Sequence, residues 1–132
     1  MNIEKELIKE YCKLVVDHKL KFPCFPIIRL SAKLKAKAGT VRYNYDLTRI
    51  TITISKIHYE KFGLEITLNT LRHEVAHIIV HTINPDAPIH GTLFKVLCKK
   101  LGGTMNPKIA GSEFKECASS NYVPRREWAK RY

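Results

Sequence analysis

Several absences narrow this sequence before any motif is read. No apolar run approaches the ~20 residues needed to cross a bilayer, so no membrane-spanning helix is expected. The acid-rich start, Met1 to Glu10, lacks the basic-then-apolar order of a signal peptide, so the chain reads as intracellular. The four cysteines, Cys12, Cys24, Cys98 and Cys117, form no C-x-x-C pair, which argues against a cysteine zinc ribbon or a redox pair. There is no internal repeat, no low-complexity stretch and no linker rich in Gly, Ser or Pro, so 132 residues read as one domain. Acidic residues are scarce: 12 Asp and Glu face 23 Lys and Arg, a net charge of +11.

What is present is ordinary for a globular protein, with 45% hydrophobic and 27% charged residues. The charge is uneven. Residues 1–40 and residues 82–132 each carry nine basic and four acidic groups, while residues 41–81 carry five and four. Two basic flanks of +5 therefore enclose a near-neutral middle. Such a surplus favours polyanions: nucleic acid, an anionic membrane face or an acidic protein.

Periodicity predicts an α+β fold. Ile3, Leu7, Tyr11, Leu14 and Val15 recur at helical spacing, giving an N-terminal helix over 2–19. Pro23 and Pro26 end it and lead into an extended run, Ile27 to Leu30. A second strand is expected over 40–45 after Gly39. A third is expected over 49–55, where Ile50, Ile52 and Ile54 alternate with Arg49, Thr51, Thr53 and Ser55. An irregular stretch is expected around Tyr59 to Gly63, then helices over 66–82 and 89–101, the last stopped by Gly102-Gly103.

The 66–82 helix contains His73-Glu74-Val75-Ala76-His77, an H-E-x-x-H sequence. At 100° per residue, His77 lies about 40° and Glu74 about 100° from His73, so the three share a face. Two imidazoles four residues apart can converge on one metal ion, with the carboxylate beside it to move a proton. Leu68, Leu71, Val75, Ile78 and Ile79 fall on the opposite side, which places the helix in mid-domain with a cleft on one flank.

A catalytic zinc site needs a third protein ligand, and His18, His58, His81, His90 or an acidic residue are the candidates. His81 shares the face but stands about 12 Å along the axis from His73, which suits a position lining the cleft. His90 is better placed. In a helix over 89–101 the stripe of Leu93, Phe94, Leu97 and Leu101 that docks on the core also turns His90 inward.

The order Ala38-Gly39…Arg42-Tyr43, the Ile50 to Ser55 strand, Leu68 to Leu71 leading into His73-Glu74-x-x-His77, and then His90-Gly91-x-x-Phe94-Lys95 resembles SprT-like metalloproteases, the group that includes Spartan. The resemblance covers roughly residues 5–105. It implies a small zincin-type domain over 1–105, with an N-terminal helix, a short three-stranded antiparallel or mixed sheet, the H-E-x-x-H helix and a following helix carrying the third ligand. It implies one Zn²⁺ held by His73, His77 and His90, with Glu74 as general base. It further implies proteolysis of DNA-associated or DNA-crosslinked proteins, and hence a nucleoid-associated cytoplasmic or a nuclear location. Many members carry a cysteine zinc ribbon after this domain. Here only Cys117 follows the last helix, so residues 106–132 read as a basic extension.

If DNA, single-stranded or junction-containing, is a partner, the basic flanks are the expected grip. The clusters are Lys33, Lys35 and Lys37, and Arg125, Arg126, Lys130 and Arg131, with Tyr122 and Trp128 available to stack on bases. The polar edge of the 49–55 strand is a candidate for binding extended protein substrates by strand addition. Arg42, Tyr43, Tyr45 and His81 are candidate oxyanion-stabilising groups. Competing readings are a zinc peptidase with a single regulatory protein target and a non-catalytic zinc-stabilised DNA-binding or adaptor module.

Overall fold

The computed structural model describes residues 2–103. Helix α1, Ile3–His18, begins where the Asn2 side chain accepts from the Lys5 N–H at 3.1 Å, with Glu4 and Glu6 in the positive first turn. It ends at Lys19, whose left-handed backbone (φ 52°) lets its N–H close on the Val15 and Val16 carbonyls. Ile3, Leu7, Tyr11 and Leu14 form its buried stripe.

Strands β1 (Ile27–Ser31), β2 (Gly39–Tyr43) and β3 (Ile50–Ser55) form one mixed sheet in the order β1-β3-β2. β1 runs parallel to β3, with Ile27 opposite Thr51, and β2 runs antiparallel, with Arg42 opposite Thr51. The alternation in β3 sets the two faces. Ile50, Ile52 and Ile54 are almost fully buried with Ile28 and Val41, each such side chain contributing roughly 1.5–3 kcal/mol. Thr51 and Thr53 face outward and are half-buried. Because β3 is central, it has no edge to offer a peptide, contrary to the strand-addition expectation; the sheet's outer edges belong to β1 and β2. β1's edge is partly taken, since the Leu30 N–H donates to Glu4 Oε2 at 3.0 Å.

Helix α2 (Lys56–Phe62) takes in most of the stretch around Tyr59 to Gly63 that was expected to be irregular. Ser55 serves twice, as the last residue of β3 and as an N-cap accepting from the His58 N–H at 3.0 Å. Gly63, at φ 89°, then turns the chain into helix α3, Leu64–Ile83. α3 is the central element, touching α1, α2, β2, β3 and the last helix, α4 (Thr92–Leu101). From His73 to His81 every residue of α3 is buried. Gly39 makes the strand-to-helix approach feasible: a Cβ there would stand 3.0 Å from Thr70 Cγ2 and 3.1 Å from Ile54 Cδ1.

α4 starts three residues later than expected. Gly91 closes a turn onto the Pro88 carbonyl at 3.2 Å and is itself extended, so His90 sits in the turn ahead of α4. The expected extension, residues 106–132, lies outside the described residues.

Candidate metal centre

α3 brings His73 and His77 to one face, 0% and 2% exposed, and the turn after Pro88 folds half-buried His90 back over them. His77 Nε2 lies 3.2 Å from His73 Nε2 and 3.2 Å from His90 Nε2. Ligands held at about 2.0–2.1 Å in a tetrahedron stand about 3.3–3.4 Å apart, so His77 stands close to ligand spacing from both His73 and His90. Among the described residues, this is the group of three whose ligand atoms lie within 4.8 Å of one another. The expected convergence of His73, His77 and His90 is present, although His90 reaches it from a turn.

The donor chemistry fits a metal. Burial holds the His77 imidazole well below its ordinary pKa, and the neighbouring His73 and His90 rings add to the effect. Its lone pair is therefore free of a proton across neutral pH. Glu74, between the two α3 histidines in sequence, is 0% exposed.

Two packing residues organise the site. Phe94, 1% exposed, stacks on His77 with ring centroids 4.4 Å apart and meets His73 at 4.8 Å and His90 at 4.9 Å. One phenyl ring thus touches all three imidazoles. Cys98, one turn further along α4, is fully buried; burial first, then the Glu74 carboxylate, push its thiol up to about 12. It is a neutral thiol beside the expected base. The apolar stripe pointed to Phe94, whereas Cys98, four residues on and on the same side, carried only the signal of helical spacing.

The other candidates lie elsewhere. His81 is 5% exposed, its Nε2 is 2.7 Å from the Tyr45 carbonyl oxygen, and its ring meets Tyr43 and Tyr45 edge-on. It ties the end of β2 to α3. His58 is buried against Phe62, and His18 stands in the last turn of α1. Arg42 projects from β2 and is exposed. Of the expected basic clusters, Lys33 and Lys35 are exposed and Lys37 is buried, while Arg125, Arg126, Lys130 and Arg131 lie outside the described residues.

The SprT-like family model matches residues 5–118, most of the chain. Comparison with curated proteins and with solved structures finds no match. No helix among the described residues is long and apolar enough to cross a membrane. The family match, together with three histidines spaced to hold a metal ion, establishes that this chain belongs to the SprT-like family.

Proposed function

We propose that this chain is a zinc-dependent endopeptidase holding one Zn²⁺, and that its substrates are DNA-associated proteins, crosslinked ones among them. The observation that carries the reading is the convergence of three imidazoles, His77 Nε2 standing 3.2 Å from both His73 Nε2 and His90 Nε2, with fully buried Glu74 between two of them in sequence. Family membership supports the metalloprotease class, and the +11 charge supports the nucleic-acid context.

Bound zinc supplies Lewis acidity and lowers the pKa of a water towards ~7. The chain's own residues do the rest. His73, His77 and His90 hold the ion as neutral donors, and Phe94 fixes their ring planes. Glu74 accepts the proton of the attacking water and delivers it to the leaving amine nitrogen. Its burial keeps bulk water from competing for that proton. An extended peptide adds along β2, the edge that Glu4 does not occupy, and backbone contacts there give broad sequence tolerance.

The test compares wild type with Glu74→Gln on a DNA-bound protein substrate, with zinc content measured in both. Retained zinc with loss of cleavage, self-cleavage included, is the expected result. Full cleavage by the variant refutes Glu74 as the base.

A further inference from the structure

A polar hollow lies on the face of the sheet away from α3. Arg29 of β1, Arg42 of β2 and Arg49 just ahead of β3 line, with Tyr43, Asn44 and Thr51, a depression of about 260 Å³. The register assembles it. Arg49, Thr51 and Thr53 alternate with the buried isoleucines and so face outward. The pairings Arg29 with Thr53 and Arg42 with Thr51 place one arginine on each side of that row. Strands lie about 4.8 Å apart, so the arginines on β1 and β2 are rooted roughly 10 Å from each other across β3. All three are exposed. Arg29 Nε donates to Thr53 Oγ1 at 3.4 Å, which directs its guanidinium across the face.

No carboxylate lines the hollow among the described residues. Asp46 feels the charge of Arg49, but its Oδ1 accepts from the Thr48 N–H at 3.2 Å and the Thr48 hydroxyl at 2.7 Å. The face thus keeps an excess of positive charge even with Asp46 counted. An outward strand face needs only polar residues, which Thr51 and Thr53 already supply. Three guanidinium forks across three strands add mutual repulsion and match the planar two-point geometry of phosphate oxygens.

We propose that this face binds the phosphate backbone of a single strand of nucleic acid. Three arginines spread across the face, with the exposed Lys33 and Lys35 following β1 in the chain, suit a polymer with repeated phosphates better than one small anion. The arginines on its two outer strands are rooted roughly 10 Å apart. The two backbones of a duplex flank a major groove about 12 Å wide, more than that span, so one strand suits the face better than two. α3 packs on the opposite face of the sheet, so a strand held here lies away from the histidine cluster. The inference rests on the nucleic-acid half of the proposed function and names its surface.

The test uses the full chain and a fluorescein-labelled oligothymidylate of about twenty nucleotides, read by anisotropy at salt from about 50 to 200 mM. Each lost phosphate contact lowers the slope of log K against log salt by about 0.7, so Arg29→Gln/Arg42→Gln/Arg49→Gln should lower it by about 2. Over that fourfold salt range, wild type should lose about twentyfold more affinity than the triple variant. Arg29→Gln and Arg42→Gln alone, each expected to lower the slope by about 0.7, serve if the triple variant melts early. The triple Arg→Lys variant should keep the slope and bind more weakly. An unchanged slope in the Gln variants overturns the assignment, as does tighter binding of a duplex of equal length. No binding by wild type overturns the nucleic-acid half of the function as well. Cleavage of a DNA-free protein by wild type against Glu74→Gln reports the peptidase half independently.

Discussion

Phe94 joins the core to the histidine cluster, and its removal separates two effects that are measurable apart. Phe94→Ala deletes a side chain that is 1% exposed and in ring contact with His73, His77 and His90. Truncations of this kind cost about 3–5 kcal/mol, of which part is the cavity left behind. Against a total stability of roughly 5–15 kcal/mol, the metal-free variant should remain folded in buffer, with a urea midpoint far below that of wild type. The second effect concerns the ligands. Freed rings lose a shared orientation, and loss of such outer support typically costs 10–100-fold in metal affinity, about 1.4–2.7 kcal/mol. A chelator-competition titration with zinc at neutral pH measures this on the folded population. Phe94→Leu, which keeps most of the volume, should recover most of the stability while recovering less of the affinity, because a leucine has no flat face to stack on His77. If Phe94→Ala loses stability but binds zinc as wild type does, the phenyl ring is core filling and the account of the site's preorganisation fails.

Other perturbations give equally definite outcomes. His90→Ala removes one of three donors and should weaken zinc binding by more than the 10–100-fold of an outer-shell loss; an unchanged titration would remove His90 from the site. Arg72 links three helices, bonding Glu10 Oε2 at 3.0 Å, Asn69 Oδ1 at 2.6 Å and the Gly102 carbonyl at 3.4 Å. With side-chain exposures of 16% and 12% for Arg72 and Glu10, Arg72→Met should cost about 1–3 kcal/mol. Glu10→Gln/Arg72→Met should recover part of that in a double-mutant cycle; a loss under about 0.5 kcal/mol denies the coupling. Burial raises Tyr11 and Cys98 to about 12 each. Both stay protonated in the fold while the unfolded chain ionises first, so their stabilisation is complete below pH 9 and falls as pH climbs towards 12. The limiting slope is about 1.4 kcal/mol per pH unit per group. Urea midpoints of the metal-free, reduced protein at pH 8, 9 and 10 should fall less steeply for Cys98→Ser, and parallel slopes would refute the assignment.

The parts legible in the sequence were those written in local spacing. Ile50, Ile52 and Ile54 announced a half-buried strand, and His73, Glu74 and His77 shared a helical face whatever the rest of the chain did. His90 was identifiable, but its placement inside a helix was not correct, because Pro88 and Gly91 spend those residues on a turn. α2 was missed because Ser55 reads as the end of a strand, and its second service as a cap depends on three-dimensional context. Strand order was the least accessible feature: nothing local states that β3 inserts between β1 and β2. The same limitation hid the arginine face. Charge counted along the chain made residues 41–81 neutral, whereas charge counted across strands gathers Arg29, Arg42 and Arg49 in one place. Lys37 erred in the opposite direction, matching a basic run in sequence but buried in the fold.

The distribution of contacts along the chain also bears on the order of assembly. His73, His77 and His90 all lie within eighteen consecutive residues, joined by one turn, and β2 meets β3 locally through Tyr43 and Ile50, whereas β1 must pair Ile27 with Thr51 across the whole of β2. Closing a longer loop costs more entropy, and non-local parallel pairing is slow. The α3–α4 hairpin can therefore hold the proposed zinc before β1 joins the sheet, turning the ion into a template for that later pairing. Refolding from denaturant with zinc present should then be faster than zinc-free refolding, while His90→Ala should refold at one rate in both.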